Sequence, residues 1–181
     1  MNSIRDQLEL QILLVLPEAV SALAEISRKT FHETFMAVND ERNMQQYLSV
    51  AFSEQRLLEE LAMDTSEFYF AMLYGNIVGY IKLNTENNTG LEIERIYVRS
   101  IDHGKGIGKA LMQFALNNAL EKGINRVWLG VASDNKRALK FYQSFGFVNS
   151  GEKLFKLGEE LQVDIMMEYF VNTMSIESST D

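Results

Sequence analysis

Gly104, Gly106 and Gly108 alternate with other residues between a predicted strand and a predicted helix. This spacing lets consecutive backbone N–H groups turn toward one point, and the start of a helix adds positive partial charge there. Lys105 and Lys109 contribute full charges beside the glycines. The segment therefore predicts a site that holds a pyrophosphate mainly through its backbone.

Two well-known phosphate-binding patterns do not fit this segment. The dinucleotide pattern G-x-G-x-x-G requires glycine at position 109 or 111, where Lys109 and Leu111 stand. The pattern G-x-x-x-x-G-K-[S/T] requires glycine at 103 and Ser or Thr after Lys109, where the chain has His103 and Ala110. The loop therefore belongs to a different class of phosphate site.

The chain of 181 residues has a formal net charge of −8, but its charges are unevenly distributed. Residues 99–142 contain 8 basic and 3 acidic side chains, whereas residues 33–67 contain 2 basic and 8 acidic ones. The overall balance argues against a nucleic-acid partner, which usually requires a basic face. A local basic segment suits a small anionic ligand, and the acidic segment suits a cation.

The absence of cysteine excludes disulfides, thiolate metal ligands and a cysteine nucleophile. The longest apolar run, Ile12–Leu16, is too short to span a membrane, and the N-terminus lacks a signal-peptide pattern. We therefore expect a cytoplasmic protein without a membrane partner. The two histidines lack the carboxylate spacing of a metal site, so no metal is expected.

Hydrophobic periodicity and turn residues predict one layered α/β (α+β) domain over residues 1–172, followed by a tail at 173–181. Strands are predicted at Leu8–Leu16, Phe68–Tyr74, Ile77–Leu83, Leu91–Val98, Arg126–Val131, Phe147–Leu157 and Leu161–Tyr169. Helices are predicted from Pro17 through Phe31 and at Asp40–Phe52, Glu54–Ala62, Ile107–Lys122 and Asn135–Phe145. The connections include a hairpin turn at Gly75-Asn76, a loop at Asn84–Gly90 and a link at Gly158-Glu159-Glu160.

Two blocks of the sequence resemble a known enzyme family. The run His103-Gly104-Lys105-Gly106-Ile107-Gly108 resembles the Gln/Arg-x-x-Gly-x-Gly/Ala loop of the GNAT N-acetyltransferases, with His103 where Gln or Arg is usual. The pattern Asn135-x-x-Ala138-x-x-Phe141-Tyr142, followed by Phe145-Gly146-Phe147, resembles the family's second block. Motifs such as Asn43-Met44-x-x-Tyr47-Leu48 are similar to the PaiA-type spermidine/spermine N-acetyltransferases of this family.

The resemblance implies the GNAT fold, a central mixed and mostly antiparallel sheet flanked by helices, with its fourth and fifth strands splayed apart. Acetyl-CoA would lie in that splay as the co-substrate, between Leu91–Val98 and Arg126–Val131. The family's contacts come from the strand backbone, the glycine loop, an asparagine and a tyrosine. Carried over, the cofactor-binding residues are Ile96, Tyr97, Val98, His103, Gly104, Lys105, Gly106, Ile107, Gly108, Lys109, Asn135 and Tyr142.

The resemblance also implies catalytic roles. Tyr142 corresponds to the family's general acid, which returns a proton to the leaving thiolate. Glu92 and Glu94 lie on one face of a predicted strand and are candidates for the base, with Glu94 preferred and water alone as a further alternative. Because a carboxylate is a far weaker base than an amine, either would act through ordered water.

The first helices are expected to line the acceptor groove. The predicted substrate-binding residues are Phe31, His32, Glu33, Tyr47 and Glu92, whose carboxylates and aromatic rings suit a cation. The alternative is an ordinary solvated acidic helix face.

Together these inferences predict an acetyl-CoA-dependent N-acetyltransferase that acts on a primary amine of a polyamine. Transfer is expected to be direct, because no cysteine exists to hold an acyl group. Two alternatives stay open: a GNAT enzyme for a protein N-terminus, a lysine or another small amine, and an acetyl-CoA-binding regulatory protein with weak catalysis. The expected partners are a small amine and acetyl-CoA, and the sequence does not decide between a monomer and a homodimer.

Overall fold

Strands and helices follow one another in the predicted order. The computed structural model describes residues 10–36, 40–86, 90–157 and 160–171, so the predicted tail, the start of the first strand and Gly158-Glu159 lie outside the described residues. The strands are β1 Gln11–Leu14, β2 Ser66–Leu73, β3 Asn76–Glu86, β4 Gly90–Val98, β5 Arg126–Ala132, β6 Val148–Leu157 and β7 Glu160–Phe170. The helices are α1 Val20–Phe35, α2 Glu41–Ala51, α3 Glu54–Leu61, α4 Ile107–Glu121 and α5 Lys136–Ser144. None of these helices is long and apolar enough to cross a membrane.

The described strands form one sheet in the order β1-β2-β3-β4-β5-β7-β6. Neighbouring strands are antiparallel except β4 and β5, which are parallel. Within the described residues, β4 and β5 are paired at Leu91 with Val127 and at Glu92 with Trp128, and they diverge after these pairs. This confirms the predicted mixed sheet with a splay between its fourth and fifth strands.

Helices cover the sheet on both faces and create two cores. Helices α1, α2 and α3 bury Leu23, Met44 and Leu57 against one face. Helix α4 buries Leu111 and other side chains against the opposite face, where Tyr142 of α5 also packs. Residues 78–83 of β3 are therefore all buried, since a central strand covered on both sides has no solvent-facing positions.

Side-chain caps set the start of several helices. Asp40 accepts hydrogen bonds from the backbone nitrogens of Arg42 and Asn43 at 3.0 and 3.2 Å, and Ser53 accepts one from Arg56 at 3.2 Å. Such caps satisfy backbone donors that have no partner inside the helix. The carboxylate of Asp40, part of the acidic segment 33–67, therefore serves to begin α2.

Two predicted connections differ from those observed. The hairpin turn consists of Tyr74 and Gly75, with φ angles of 51° and 75°, rather than Gly75 and Asn76. A two-residue turn of this kind requires positive φ at both positions, and Asn76 instead pairs with Leu73 as the first residue of β3. The predicted loop Asn84–Gly90 is shorter than expected, because β3 continues through Glu86 and pairs with β4 as far as Gly90.

Candidate active site

The glycine loop joins the end of β4 to the start of α4. A 3-10 turn at Ser100–Asp102 leads into Gly104 and Gly106, both with φ of +81°, a conformation that side chains disfavour. Nothing lies within 4 Å of the position that a Cβ atom would take at either glycine. No side chain caps the first turn of α4, so its backbone N–H groups stay open toward this space. The loop therefore has the shape and partial charge that a pyrophosphate requires.

A cleft of about 590 Å³ extends from this loop along the end of β4 to α5. It is lined by eleven of the predicted cofactor-binding residues, namely Ile96, Tyr97, Val98, His103, Gly104, Gly106, Ile107, Gly108, Lys109, Asn135 and Tyr142. Lys105 is the predicted member that does not line the cleft, because its ammonium contacts Asp102 at 2.7 Å. Asp102 also holds the guanidinium of Arg99 at 2.6 Å, so both cations are neutralised within the loop.

Asn135 lies at the start of α5 and caps it. Its Oδ1 atom accepts a hydrogen bond from the backbone nitrogen of Ala138 at 3.1 Å. The side-chain oxygen is therefore engaged, and the amide nitrogen is the group that Asn135 can offer to a ligand in the cleft.

Tyr142 lies on α5 with its ring buried against the core and its side chain at the cleft. Burial raises the pKa of the Tyr142 hydroxyl, so the phenol keeps its proton at neutral pH. Phe141 packs against the same core, and its side chain also lines the cleft and approaches the Cβ position of Gly108 to 3.8 Å. A helix packed across the mouth of a cleft can present two adjacent positions to it.

A bulge in β4 sets the directions of the candidate base residues. Arg95 pairs with Lys82 and Ile93 pairs with Leu83, which leaves Glu94 as an extra residue between them. In such a bulge two successive side chains project toward the same face. Glu92, Glu94 and Arg95 consequently share the face that α1, α2 and α3 cover.

Glu94 belongs to a buried network of ion pairs. Its carboxylate contacts the Lys82 ammonium at 2.6 Å and the Arg95 guanidinium at 3.1 Å. Glu60, 3% exposed on α3, contacts the same two cations at 2.9 Å each. Burial raises the pKa of Glu94, but the charges of Arg95 and Lys82 outweigh it and leave that pKa below its usual value.

Glu92 has a different environment from Glu94. It is half-buried, and its carboxylate accepts a hydrogen bond from the Nδ2 atom of Asn84 at 2.8 Å. Burial raises the pKa of Glu92, the Asn84 bond lowers it, and the nearby charge of Glu94 raises it again. The net result is a carboxyl group with a raised pKa, which is a better proton acceptor than Glu94.

The residues predicted to bind the acceptor do not form one groove. Tyr47 and Glu92 line a cavity of about 510 Å³ together with Glu94. Phe31 is 4% exposed and packs against Tyr47 with ring centres 4.8 Å apart, which makes it part of the aromatic core behind that cavity.

His32 and Glu33 face away from the cavity that Tyr47 and Glu92 line. His32 contacts Glu41 at 3.8 Å in a separate groove between the helices. Glu33 accepts a hydrogen bond from the Ser100 backbone nitrogen at 2.8 Å and lines the cofactor cleft. Of the predicted acceptor set, the structure therefore brings Tyr47 and Glu92 together.

Sequence reasoning missed two charged residues, one that lines the cofactor cleft and one whose charge acts on Tyr47. Arg137 on α5 lines the cleft and contacts His103 at 3.0 Å. Asp164 on β7 is a half-buried carboxylate whose Oδ2 lies 3.4 Å from the Cβ position of Gly130 on β5. Asp164 could have been found as a charged residue inside the apolar run of β7. Arg137 could have been found from its position within the Asn135 motif.

Comparison with known proteins identifies the family of this chain. The Acetyltransferase (GNAT) family model matches residues 22–147. An uncharacterized N-acetyltransferase of Lactobacillus delbrueckii subsp. lactis is 36% identical over 160 residues, which cover 84% of this chain and 90% of that protein. The spermidine N(1)-acetyltransferase of Thermoplasma acidophilum is 27% identical over 134 residues, which cover 72% of this chain and 83% of that protein.

Among solved structures, the PaiA N-acetyltransferase from Thermoplasma acidophilum in complex with coenzyme A aligns with a TM-score of 0.78. The alignment covers 91% of this chain and 100% of that chain at 23% identity, so the likeness shows the shared fold. The family match and the Lactobacillus relative confirm the family that the two sequence blocks predict. This chain belongs to the GNAT family and is an N-acetyltransferase whose co-substrate is acetyl-CoA.

Proposed function

We propose that this enzyme acetylates a primary amine of a polyamine such as spermidine or spermine. The observation that carries the proposal is a pair of half-buried carboxylates, Glu92 on β4 and Asp164 on β7, on the face of the sheet opposite α4. Burial raises the pKa of both groups, which means that each lacks full compensation of its charge. A polyamine offers several ammonium groups, and each would relieve such an uncompensated anion.

Neighbouring side chains connect these two carboxylates into one region. Lys153 on β6 lies opposite Asp164 in register and partly offsets the effect of burial on the pKa of both Asp164 and Glu92. Burial raises the pKa of Tyr47, the charge of Arg95 lowers it, and the charges of Glu94 and Asp164 raise it again. Glu92 and Asp164 are thus both influenced by the charge of Lys153, and Asp164 also acts on Tyr47, which supports a role for this face of the sheet in attracting a cation.

The proton accepted from the substrate ammonium would go to Glu92 through water. The neutral amine would then attack the thioester carbon, so that a carbon–nitrogen bond forms and the carbon–sulfur bond breaks. Tyr142 would donate its phenolic proton to the departing sulfur, and the second proton of the former ammonium would restore the phenol. Glu94 would remain ionised between Lys82 and Arg95 and hold the bulge in place.

The end of β4 has a backbone edge that β5 does not cover. Because β5 diverges after Glu92, the N–H and C=O groups of residues 96–98 on that side have no partner in β5 among the described residues, and of these groups the Val98 oxygen is engaged by His103. An extended pantetheine arm can pair with such an edge as an added strand does. Tyr97 and Tyr142 line the same cleft, so the acid is beside the end of that arm.

The relative named spermidine N(1)-acetyltransferase supports a polyamine acceptor for this chain. That activity belongs to a protein of 27% identity, and the carboxylates described above supply the physical reason to propose it for this chain.

Release of CoA from acetyl-CoA tests the acceptor directly. The sharpest comparison is putrescine against butylamine, which differ in the second ammonium, alongside spermidine, spermine and a lysine peptide. We expect kcat/KM for butylamine to be at least about tenfold below that for putrescine, since one ion pair in a partly desolvated site is lost. Equal values would refute the polyamine proposal, and turnover confined to the peptide would favour a protein acceptor.

A further inference from the structure

His103 joins the two walls of the cofactor cleft. Its Nε2 atom lies 2.9 Å from the backbone oxygen of Val98 at the end of β4. Its Nδ1 atom lies 3.0 Å from the Nη1 atom of Arg137 on α5. One ring therefore contacts both the strand and the helix between which the cleft opens.

The two contacts define the protonation of the ring. A guanidinium can only donate hydrogen bonds, so Nδ1 must accept one from Arg137. A carbonyl oxygen can only accept, so Nε2 must carry the proton and donate it to Val98. Both contacts are satisfied together by the neutral ring with its proton on Nε2, and by no other form.

The cations around the loop differ in their availability to a ligand. Arg99 and Lys105 are paired with Asp102, which is 4% exposed. Lys109 and Arg137 line the cleft, and within the described ranges neither has an ion pair. These two side chains are the cations that face the space in front of Gly104 and Gly106.

We propose that His103 is a positioning residue that holds the Arg137 guanidinium toward the phosphate groups of acetyl-CoA. The inference rests on the family's co-substrate occupying this cleft, and it does not depend on the identity of the amine. An arginine side chain loses conformational entropy when it binds a ligand. A hydrogen bond that already orders the side chain reduces the entropy lost on binding. The neutral ring of His103 has no charge to attract phosphate groups, and it contributes to their binding by orienting Arg137.

Calorimetric titration with CoA in the absence of any amine tests the proposal. We expect His103→Leu to raise the Kd of CoA about fivefold and Arg137→Leu about tenfold, in the range of a charge-assisted hydrogen bond. The double variant should bind like Arg137→Leu alone, because His103 has no effect once the guanidinium is gone. His103→Gln should bind within about twofold of the parent, since an amide oxygen can accept from Arg137 while its nitrogen donates to Val98.

Lys136→Leu is the matched control. Lys136 is the adjacent cation on α5, but its ammonium donates to the Ser133 backbone oxygen at 2.6 Å and it does not line the cleft. Its removal should change the Kd of CoA by less than about twofold, as expected for an exposed charge at physiological salt.

Several results would overturn the proposal. Among them are losses that multiply in the double variant, a His103→Gln variant that binds as weakly as His103→Leu, and an unchanged Kd in His103→Leu. Nitrogen NMR of the unliganded parent provides a second readout, and an Nδ1-protonated ring would contradict the arrangement. In steady-state kinetics His103→Leu should raise KM for acetyl-CoA by a larger factor than it lowers kcat, because a positioning role for binding acts first on KM.

Discussion

Glu92 and Glu94 accept hydrogen bonds from the same amide group, the Nδ2 atom of Asn84, at 2.8 and 2.5 Å. Their charges are nevertheless compensated very differently. Glu94 contacts the buried Lys82 and the half-buried Arg95, whereas Glu92 has its hydrogen bond from Asn84 but no ion pair among the described residues. Two carboxylates on one face of one strand therefore differ in pKa, and the difference separates a structural anion from a candidate base.

Replacing Glu92 by Gln should abolish the proton acceptor while preserving its hydrogen bond to Asn84. We expect kcat/KM for the amine to fall about 100-fold or more, the usual contribution of a positioned base. Because the pKa of Glu92 is raised, the parent should lose activity on acidification at a pH above the pKa of an ordinary glutamate. The pH–rate profile checks this, since the acidic limb should flatten in Glu92→Gln.

Glu94→Gln is the counterpart on the same strand. It should lower stability by about 1–3 kcal/mol, because Lys82 and Arg95 lose a partner in a partly buried network. Urea unfolding measures that loss. An acidic limb that vanishes in Glu94→Gln and persists in Glu92→Gln would return the base role to Glu94.

The pH dependence of stability provides a second prediction for Glu94. Its pKa in the folded protein is lower than the value of 4.5 for an ordinary glutamate. A carboxyl group of this kind stabilises the folded state above its unfolded pKa, and that contribution is lost as the pH falls through the lower folded value. As the pH is lowered below about 4.5, we expect the urea concentration at the unfolding midpoint to decrease in the parent, and to decrease less in Glu94→Gln.

Glu59→Gln is the control for this pH series. Glu59 is an exposed carboxylate on α3 whose contact with Arg56 lies at 3.8 Å. Exposed pairs of this kind contribute little to stability, so its urea midpoints should follow those of the parent at every pH. A midpoint of the parent that rises on acidification would contradict the assigned direction.

Tyr142→Phe should separate chemistry from binding. The variant keeps the buried ring but removes the phenolic proton, so kcat should fall about 100-fold or more while the Kd of CoA changes by less than about twofold. Pre-steady-state turnover and calorimetry measure the two quantities. Phe147→Leu, in the same aromatic cluster but away from the cleft, is the packing control. Unchanged kcat in Tyr142→Phe would remove this residue from the acid role.

The fold and the cofactor cleft follow closely from the sequence. Two parts of the cleft are marked by local sequence features. The loop contains glycines with positive φ, and α5 begins at the Asn135 motif. The acceptor side depends on contacts between residues far apart in the chain. Lys82 and Glu60 are separated by 22 residues, and no periodicity indicates that they form an ion pair.

The bulge at Glu94 shows the same limit within a single strand. Strict alternation places Glu92 and Glu94 on one face and Arg95 on the other. The extra residue in β4 brings Arg95 to the side of Glu94, where it also contacts Glu60. Register shifts of this kind arise from pairing with a neighbouring strand, so the local sequence does not reveal them.

Asp164 provides a test of acceptor charge. Its half-buried carboxylate has no hydrogen bond or ion pair within the part of the chain that the structure describes, and burial raises its pKa. Asp164→Asn should therefore raise KM for putrescine about five- to tenfold and leave KM for butylamine nearly unchanged, because only the diamine has a second ammonium.

Glu168→Gln is the matched control for Asp164→Asn, since Glu168 lies on the same face of β7 but is paired with Arg126 at 3.0 Å. It should leave the discrimination between putrescine and butylamine within about twofold of the parent, because its charge is already compensated. Steady-state kinetics with both amines measures the ratio in each variant. Equal losses for the two amines in Asp164→Asn would mean that this carboxylate acts on the reacting amine, and the assignment to the second ammonium would then be wrong.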